Sequence, residues 1–388
     1  MNAIQIAAIR ARFPVFRNKI YLNSCSQGAL SDRVEAGLLE YLRTWHEHGS
    51  PWDIWIEHYE AARGVFANLI GAEVDEVALV ASASDAVNSL ASAVSFNKRR
   101  KVVLGEFEFP TMGHIWMAQQ PRGAEILFVK ARGDRLAPAD YEALVDRNTL
   151  IVPLTHLCFM NGFRMPVKEI VGLAHDRGAL VLLDDYQDCG SRTVDVKAMD
   201  VDFYVSGTLK YLLGPPGLAF MYVRKSLIES LVPTVTGWFG QANPFAFDVK
   251  RLEPSSTARR FQAGTPPIPT IFGAREGVCL LQEIGLREIA DHVKSLTASL
   301  LAGVRDLGIE TKTPADSVGP LIVLRAKDTD ALVQELARNG MVVSSRKDGL
   351  RISFHVYNTH EDVQSLLHFL GRNLDRLVTT TATAVRRP

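Results

Sequence analysis

The sequence predicts an α/β fold: a mostly parallel seven-stranded sheet flanked by helices, followed by a smaller α+β C-terminal domain. Three observations lead there. Between Glu76 and Arg224 seven short runs rich in Val, Leu and Ile recur, nearly continuous rather than alternating, as in strands buried on both faces. Helix-like stretches separate several of them, which implies right-handed crossovers and parallel strands. After about Arg251 the pattern changes to two long helical stretches, then strands and helices in turn.

The N-terminal MNAIQIAAIRARFPVF has no secretory apolar core followed by a cleavage site. It predicts a short helix, with a transit peptide as the alternative. The strands are VALVAS (77–82), KVVLGE (101–106), AEILFVK (124–130), TLIVPLTH (149–156), ALVLLDD (179–185), DFYVSG (202–207) and GLAFMYV (217–223). Helices are expected over Ser84–Val94, Pro166–Arg177 and, more weakly, Pro138–Val145. Beyond them come helices near 270–283 and 286–306, VGPLIVLRA (318–326), a helix at 328–338, MVVSSR (341–346), LRISFHV (350–356) and a helix at 360–371. This divides the chain into a large domain over 15–255 and a small one over 256–388, with 1–14 packing on the small domain. The closing TTTATAVRRP is expected to fray.

Composition sets the outer limits. The 388 residues are 47% hydrophobic, enough for a large core, and 43 Lys+Arg balance 43 Asp+Glu. A balanced charge gives no support to a general binder of nucleic acid or acidic membranes. No apolar run reaches the roughly 20 residues of a membrane helix. Cys25, Cys158, Cys189 and Cys279 are scattered, without the spacing of a zinc site or a disulfide framework. His46 and His48 lie two apart on a helical stretch and so face different ways, which argues against a metal. Trp52 and Trp55 are expected to pack against a helix or a second subunit. The chain reads as an intracellular, cytoplasmic protein.

In an open α/β sheet, ligands collect at the carboxyl ends of the strands. The polar residues there are Ser82, Ser84, Glu106, Glu108, His156, Asp184, Gln187 and Ser206 through Lys210. Lys210, in the apolar SGTLKYLLGPPG, would lose hydration and become a nucleophilic amine; the alternative is a lysine that reaches to solvent. Asp184, in VLLDDYQDCG, suits a pyridine nitrogen partner, or simply caps a strand. Ser84, in VASASDAVNSL, reads as a helix N-cap, beside which the free N–H groups form an anion site; capping alone would also explain it.

Together these residues resemble the class V aminotransferase group of fold-type I pyridoxal-phosphate enzymes, which includes cysteine desulfurases and kynureninases. The resemblance runs from YLNS (21–24) to YNTHEDV (357–363), with the motifs in order. It implies pyridoxal 5'-phosphate as cofactor and Lys210 as the Schiff-base lysine and proton shuttle. Asp184 and Gln187 match the D-x-x-Q pair at the pyridinium and the ring hydroxyl; Asp185 has the wrong spacing to Gln187. Ala83 and Ser84, in ASDAVN, match the phosphate loop, and Ser206 and Thr208 are both candidates for a second phosphate hydroxyl. Phe109, in GEFEFPTMG, takes the ring-stacking position. RFQAGTPPI (260–268) implies that Thr265 reaches the phosphate of a neighbouring subunit in a homodimer. Arg351, in LRISFHVYNTHEDV, would clamp the substrate carboxylate as a bidentate partner. Cys25, in NSCSQG, lies on a loop that approaches the substrate in the family; a packed, inert thiol is the alternative.

The departures narrow the activity. Leu209 stands where desulfurases carry histidine before the lysine, and Phe159 stands in place of an asparagine near the ring. VVSSRKDGL (342–350) lacks the persulfide cysteine. The F-P-T at 109–111 and G-T-P-P-I at 264–268 are kynureninase-like, but Gln187 replaces the histidine of that group. Transamination at Cα of an amino acid or related amine is the expected reaction, and β-elimination of the C–S lyase or kynureninase kind is the alternative. Epimerisation, a non-catalytic cofactor-binding protein and a cofactor-free Schiff-base aldolase follow behind.

Overall fold

The computed structural model describes residues 1–380. Its strands are β1 (Ile20–Tyr21), β2 (Val77–Val80), β3 (Lys101–Gly105), β4 (Glu125–Val129), β5 (Thr149–Thr155), β6 (Leu180–Asp184), β7 (Phe203–Gly207), β8 (Ala219–Val223), β9 (Leu321–Arg325), β10 (Met341–Val342), β11 (Ser344–Arg346) and β12 (Gly349–Ser353). All seven expected strands of the large sheet are present, in the order β2-β8-β7-β6-β5-β3-β4. β8 runs antiparallel to both its neighbours and the other pairings are parallel.

Both faces of this sheet are covered, which is why its strands read as continuous apolar runs. On β3, Val103 joins one core cluster while Val102 and Leu104 join the other. Phe220 of β8 stacks on Phe66 of the helix Trp52–Leu69 at a centroid distance of 4.0 Å. On the opposite face the helix Ala83–Ala93 buries Ala86, Val87 and Leu90. A helix in this position brings its N-terminus to the same edge of the sheet as the ends of β5, β6 and β7.

The small sheet is antiparallel, in the order β11-β12-β9. MVVSSR does not form one strand. Met341 and Val342 pair in parallel with Ile20 and Tyr21, and only Ser344–Arg346 joins β12. The N-terminal segment thereby becomes part of the C-terminal structure. Arg10, on the helix Ala3–Ala11, reinforces this by donating to Asp362 at 2.7 and 2.9 Å and to the Tyr357 carbonyl at 2.7 Å. The helix Ile268–Ile284, C-terminal to the expected boundary at 255/256, packs on the helices Asp32–His48 and Trp52–Leu69. Of the expected tail, Thr379 bridges to Ile309 and Thr380 donates to the Gly308 carbonyl at 2.8 Å. Residues 381–388 lie outside the described residues. Among the described residues no helix is long and apolar enough to cross a membrane.

Candidate active site

The ends of β5, β6 and β7 and the starts of the helices Ala83–Ala93 and Pro110–Met117 enclose a cavity of about 270 Å3. Lys210, Asp184, Gln187, Ala83, Ser84 and Phe109 all line it. They come from four separate stretches of chain, which the parallel topology gathers at one edge of the sheet. Thr111, Thr155, Phe159, Tyr186 and Leu209 complete much of the wall.

Lys210 follows β7 by three residues. Burial lowers its amine to about 8, against the pull of Asp184 in the other direction; Arg351 and Arg346 add to the lowering. Its Nζ stands 4.4 Å from the centroid of the Tyr186 ring and 5.9 Å from that of Phe109. Asp184 ends β6, where burial raises its carboxyl to about 6 despite the Tyr186 N–H and the Lys210 charge. One carboxylate oxygen accepts the Tyr186 N–H at 3.0 Å. Gln187 donates to the Cys25 carbonyl at 3.2 Å, and its Oε1 is buried without a hydrogen-bond partner. That crossing needs a glycine. A Cβ on Gly28 would stand 2.4 Å from the Lys210 carbonyl oxygen, and the Gly28 N–H donates to the Leu209 carbonyl at 2.7 Å.

At the other end of the cavity the helix cap differs from expectation. Ser82, not Ser84, is the N-cap, accepting the Asp85 N–H at 3.1 Å. The helix starts one residue earlier than the hydrophobic periodicity suggests, because Ser82 is the residue in extended conformation. Ser84 sits inside the first turn, its hydroxyl 3.1 Å from that of Thr111. Two hydroxyls and the open end of a helix therefore face one corner.

Five expected residues lie elsewhere. Ser206 and Thr208 do not line the cavity. On β7 Gly207 faces Tyr186, so its neighbours point to the opposite side. The Thr208 hydroxyl donates to the carbonyls of Pro215 at 2.5 Å and Leu218 at 3.1 Å, holding the Gly-Pro-Pro-Gly turn. Thr265 lies in a separate cavity with Tyr59, Gln262 and Pro267. Arg351 is buried behind Phe159: Nη1 donates to the Phe159 carbonyl at 3.0 Å, and Nη2 to the hydroxyls of Ser26 at 2.7 Å and Ser344 at 3.0 Å. Among the described residues no carboxylate pairs with it. Cys25 is buried, its Sγ 3.9 Å from the Ser344 hydroxyl. Trp55 packs internally and donates to the Thr44 hydroxyl at 3.1 Å.

Tyr186 was missed by the sequence reading, although it lies inside the D-x-x-Q motif. An alternation count from Asp184 would have placed both residues on the same side. A second cluster, His156, Asp185 and Asp188, brings potential ligand atoms within 4.8 Å of one another. Arg164 and Arg192 already neutralise it, at 2.9 and 2.7 Å from Asp188.

The cavity fits the phosphorylated pyridine expected from the resemblance. A carboxylate and an unsatisfied amide oxygen stand at one end, a helix start and two hydroxyls at the other, and aromatic rings and an amine between. Three comparisons bear on the chain as a whole. Residues 51–366 match the family described as aminotransferase class-V. The chain is similar to an uncharacterized aminotransferase, YcbU, of Bacillus subtilis, at 33% identity over 92% of this chain and 94% of that protein. It is also similar, at 28% identity over 95% of this chain and 97% of the other, to a probable cysteine desulfurase of Methanothermobacter thermautotrophicus. In fold it resembles the apo cysteine desulfurase of Thermococcus onnurineus, with a TM-score of 0.87, 21% identity and coverage of 95% and 98%.

Proposed function

The chain belongs to the class V aminotransferase family of pyridoxal-phosphate enzymes, and from that premise we propose that it transfers the amino group of an amino acid or related amine. One observation carries the choice of transamination. The cavity offers Lys210 as its one amine, and Phe109 and Phe159, 5.0 Å apart, form a part of the wall that has no proton to give a β-leaving group. No histidine or cysteine lines it, and 342–350 contains no cysteine to take up sulfur.

When bound, pyridoxal phosphate supplies a conjugated ring that accepts the electron pair left at the substrate Cα. Asp184 would hold the charge of the ring nitrogen, and Gln187 would offer its amide to the ring hydroxyl. Ala83 and Ser84, with Thr111, would hold the phosphate. Lys210, lowered toward its neutral form by burial, would take the proton from the substrate Cα and hold it for return. Arg351, outside the cavity lining behind Phe159, would orient the substrate carboxylate by exchanging the Ser26 and Ser344 hydroxyls for it. Cys25 positions Gln187 through its carbonyl rather than through its thiol.

The active unit is a homodimer in this reading. Phe245, Phe247, Val249 and Leu252 are exposed, an apolar stretch that a second copy would cover, and Thr265 would complete the partner's phosphate site. Four free cysteines fit a reducing cytoplasmic location.

The purified holoenzyme should be yellow, and borohydride should fix the cofactor to Lys210. Incubated with single amino acids, it should accumulate pyridoxamine phosphate and the matching keto acid. Pyruvate and ammonia with a released β-group, and no pyridoxamine phosphate, would establish β-elimination instead.

A further inference from the structure

Tyr186 touches more of the site than any role given so far requires. Its N–H fixes Asp184 at 3.0 Å, and its ring centroid lies 4.4 Å from Lys210 Nζ, nearer than Phe109 at 5.9 Å. The ring occupies a seat that exists only because residue 207 is glycine. A Cβ there would stand 2.1 Å from Tyr186 Cζ and from its hydroxyl oxygen, far inside any real contact. Gly207 has no need of glycine for its backbone, which continues β7 in pairing with Ala219. The three heavy atoms nearest to such a Cβ all belong to the Tyr186 side chain.

We propose that Tyr186, seated over Gly207, is a positioning residue for Lys210: the face of its ring holds the Lys210 nitrogen in the cavity and favours its protonated form. The electron-rich face of an aromatic ring attracts a cation, more strongly where water is excluded. Burial pushes the phenol's own ionisation upward, so the ring stays uncharged over the working range. Loss of hydration lowers the amine, and the charges of Arg351 and Arg346 add to that, whereas Asp184 and Cys25 favour the charged state and the ring joins them. This role does not depend on whether the reaction is transamination or elimination, since both need the same lysine at the same place.

The decisive measurement is the pH dependence of pyridoxal phosphate capture by the apoenzyme, followed in the visible spectrum, because capture requires the neutral amine. The wild-type rate should rise with a midpoint of about 8. Tyr186→Phe should retain that midpoint, whereas Tyr186→Leu, which fills space without a π face, should lower it by about half to one pH unit. Gly207→Ala should reproduce the shift by driving the ring from its seat, and should lower the melting temperature. Adding Tyr186→Ala to Gly207→Ala should restore the melting temperature but not the midpoint. Should the single variants fail to fold, this double variant carries the same measurement. Equal midpoints in wild type, Tyr186→Leu and the double variant would overturn the proposal and leave the ring as packing alone. So would a melting temperature of the double variant no higher than that of Gly207→Ala.

Discussion

Asp184 and Asp185 are consecutive residues of one type at the end of one strand, and their surroundings are opposite. Asp184 opens into the cavity with a single recorded donor, the Tyr186 N–H, and its carboxyl is raised to about 6 by burial. Asp185 is sealed on the other side. It accepts the Tyr204 hydroxyl at 2.8 Å, lies 2.9 Å from His156 Nδ1 and 3.7 Å from Arg192, and belongs to the network that continues through Asp188 to Arg164. Burial also acts on Asp188, but the guanidiniums of Arg164 and Arg192 outweigh it and hold that carboxyl well below its usual range. Strand alternation separates the two aspartates into different compartments. A carboxylate left short of partners is available to a ligand; one set among a hydroxyl, an imidazole and a guanidinium contributes to the fold. The difference lies in the count of partners, since both are buried.

Changes on the cavity side should abolish chemistry and spare the fold, and changes on the sealed side should do the reverse. Lys210→Ala should reduce turnover by at least about 10³-fold with little change in melting temperature. Asp184→Ala should lower kcat by about 10²- to 10³-fold and alter the visible spectrum of the cofactor. Asp185→Ala should cost about 3 to 5 kcal/mol in urea unfolding, because it leaves His156 and Arg192 in a partly emptied network. Its kcat, measured where it remains folded, should stay within a few-fold of wild type. Equal loss of stability in both aspartate variants would erase the distinction.

Two smaller effects sharpen it. Arg351→Ala should raise KM by about 10- to 100-fold with a lesser change in kcat, since charged hydrogen bonds contribute about 1.5 to 3 kcal/mol. Glu108 tests a carboxyl of intermediate kind. It accepts the Thr155 N–H at 2.7 Å, its other oxygen is buried without a partner, and burial raises it well above the usual range, with the Asp184 charge adding to that. The folded chain keeps a proton that the unfolded chain releases above about pH 4.3, so stability falls as pH rises from there. Glu108→Gln cannot ionise and should melt higher at pH 8, by on the order of a few degrees, with the difference shrinking at pH 4.

The large sheet was legible because strands covered on both faces must be apolar at every position, and TLIVPLTH or GLAFMYV can be little else. Lys210, Asp184 and Gln187 were legible because their neighbours in sequence are also their neighbours in space. Ser206 and Thr208 were not, since their distinction from Gly207 is one of strand parity, and SGTLK is too short to reveal its own phase. The split of MVVSSR into two strands was equally hidden. Its first half pairs with Ile20 and Tyr21, more than 300 residues away, and no local pattern announces so distant a partner. Ser82 and Ser84 are equally good caps by type, and only backbone conformation chose between them.

The hydroxyls on Arg351 have a consequence for selectivity. A carboxylate arriving at this guanidinium has to displace Ser26 and Ser344, one preceding the large sheet and the other on β11. Recognition there is an exchange between rival acceptors, and the arginine is already content before any ligand comes. Weak anions lose that contest; a carboxylate wins it only when the remainder of the molecule is held in place as well. Removing a competitor, as Ser26→Ala would, should therefore make the enzyme bind more tightly and choose less well.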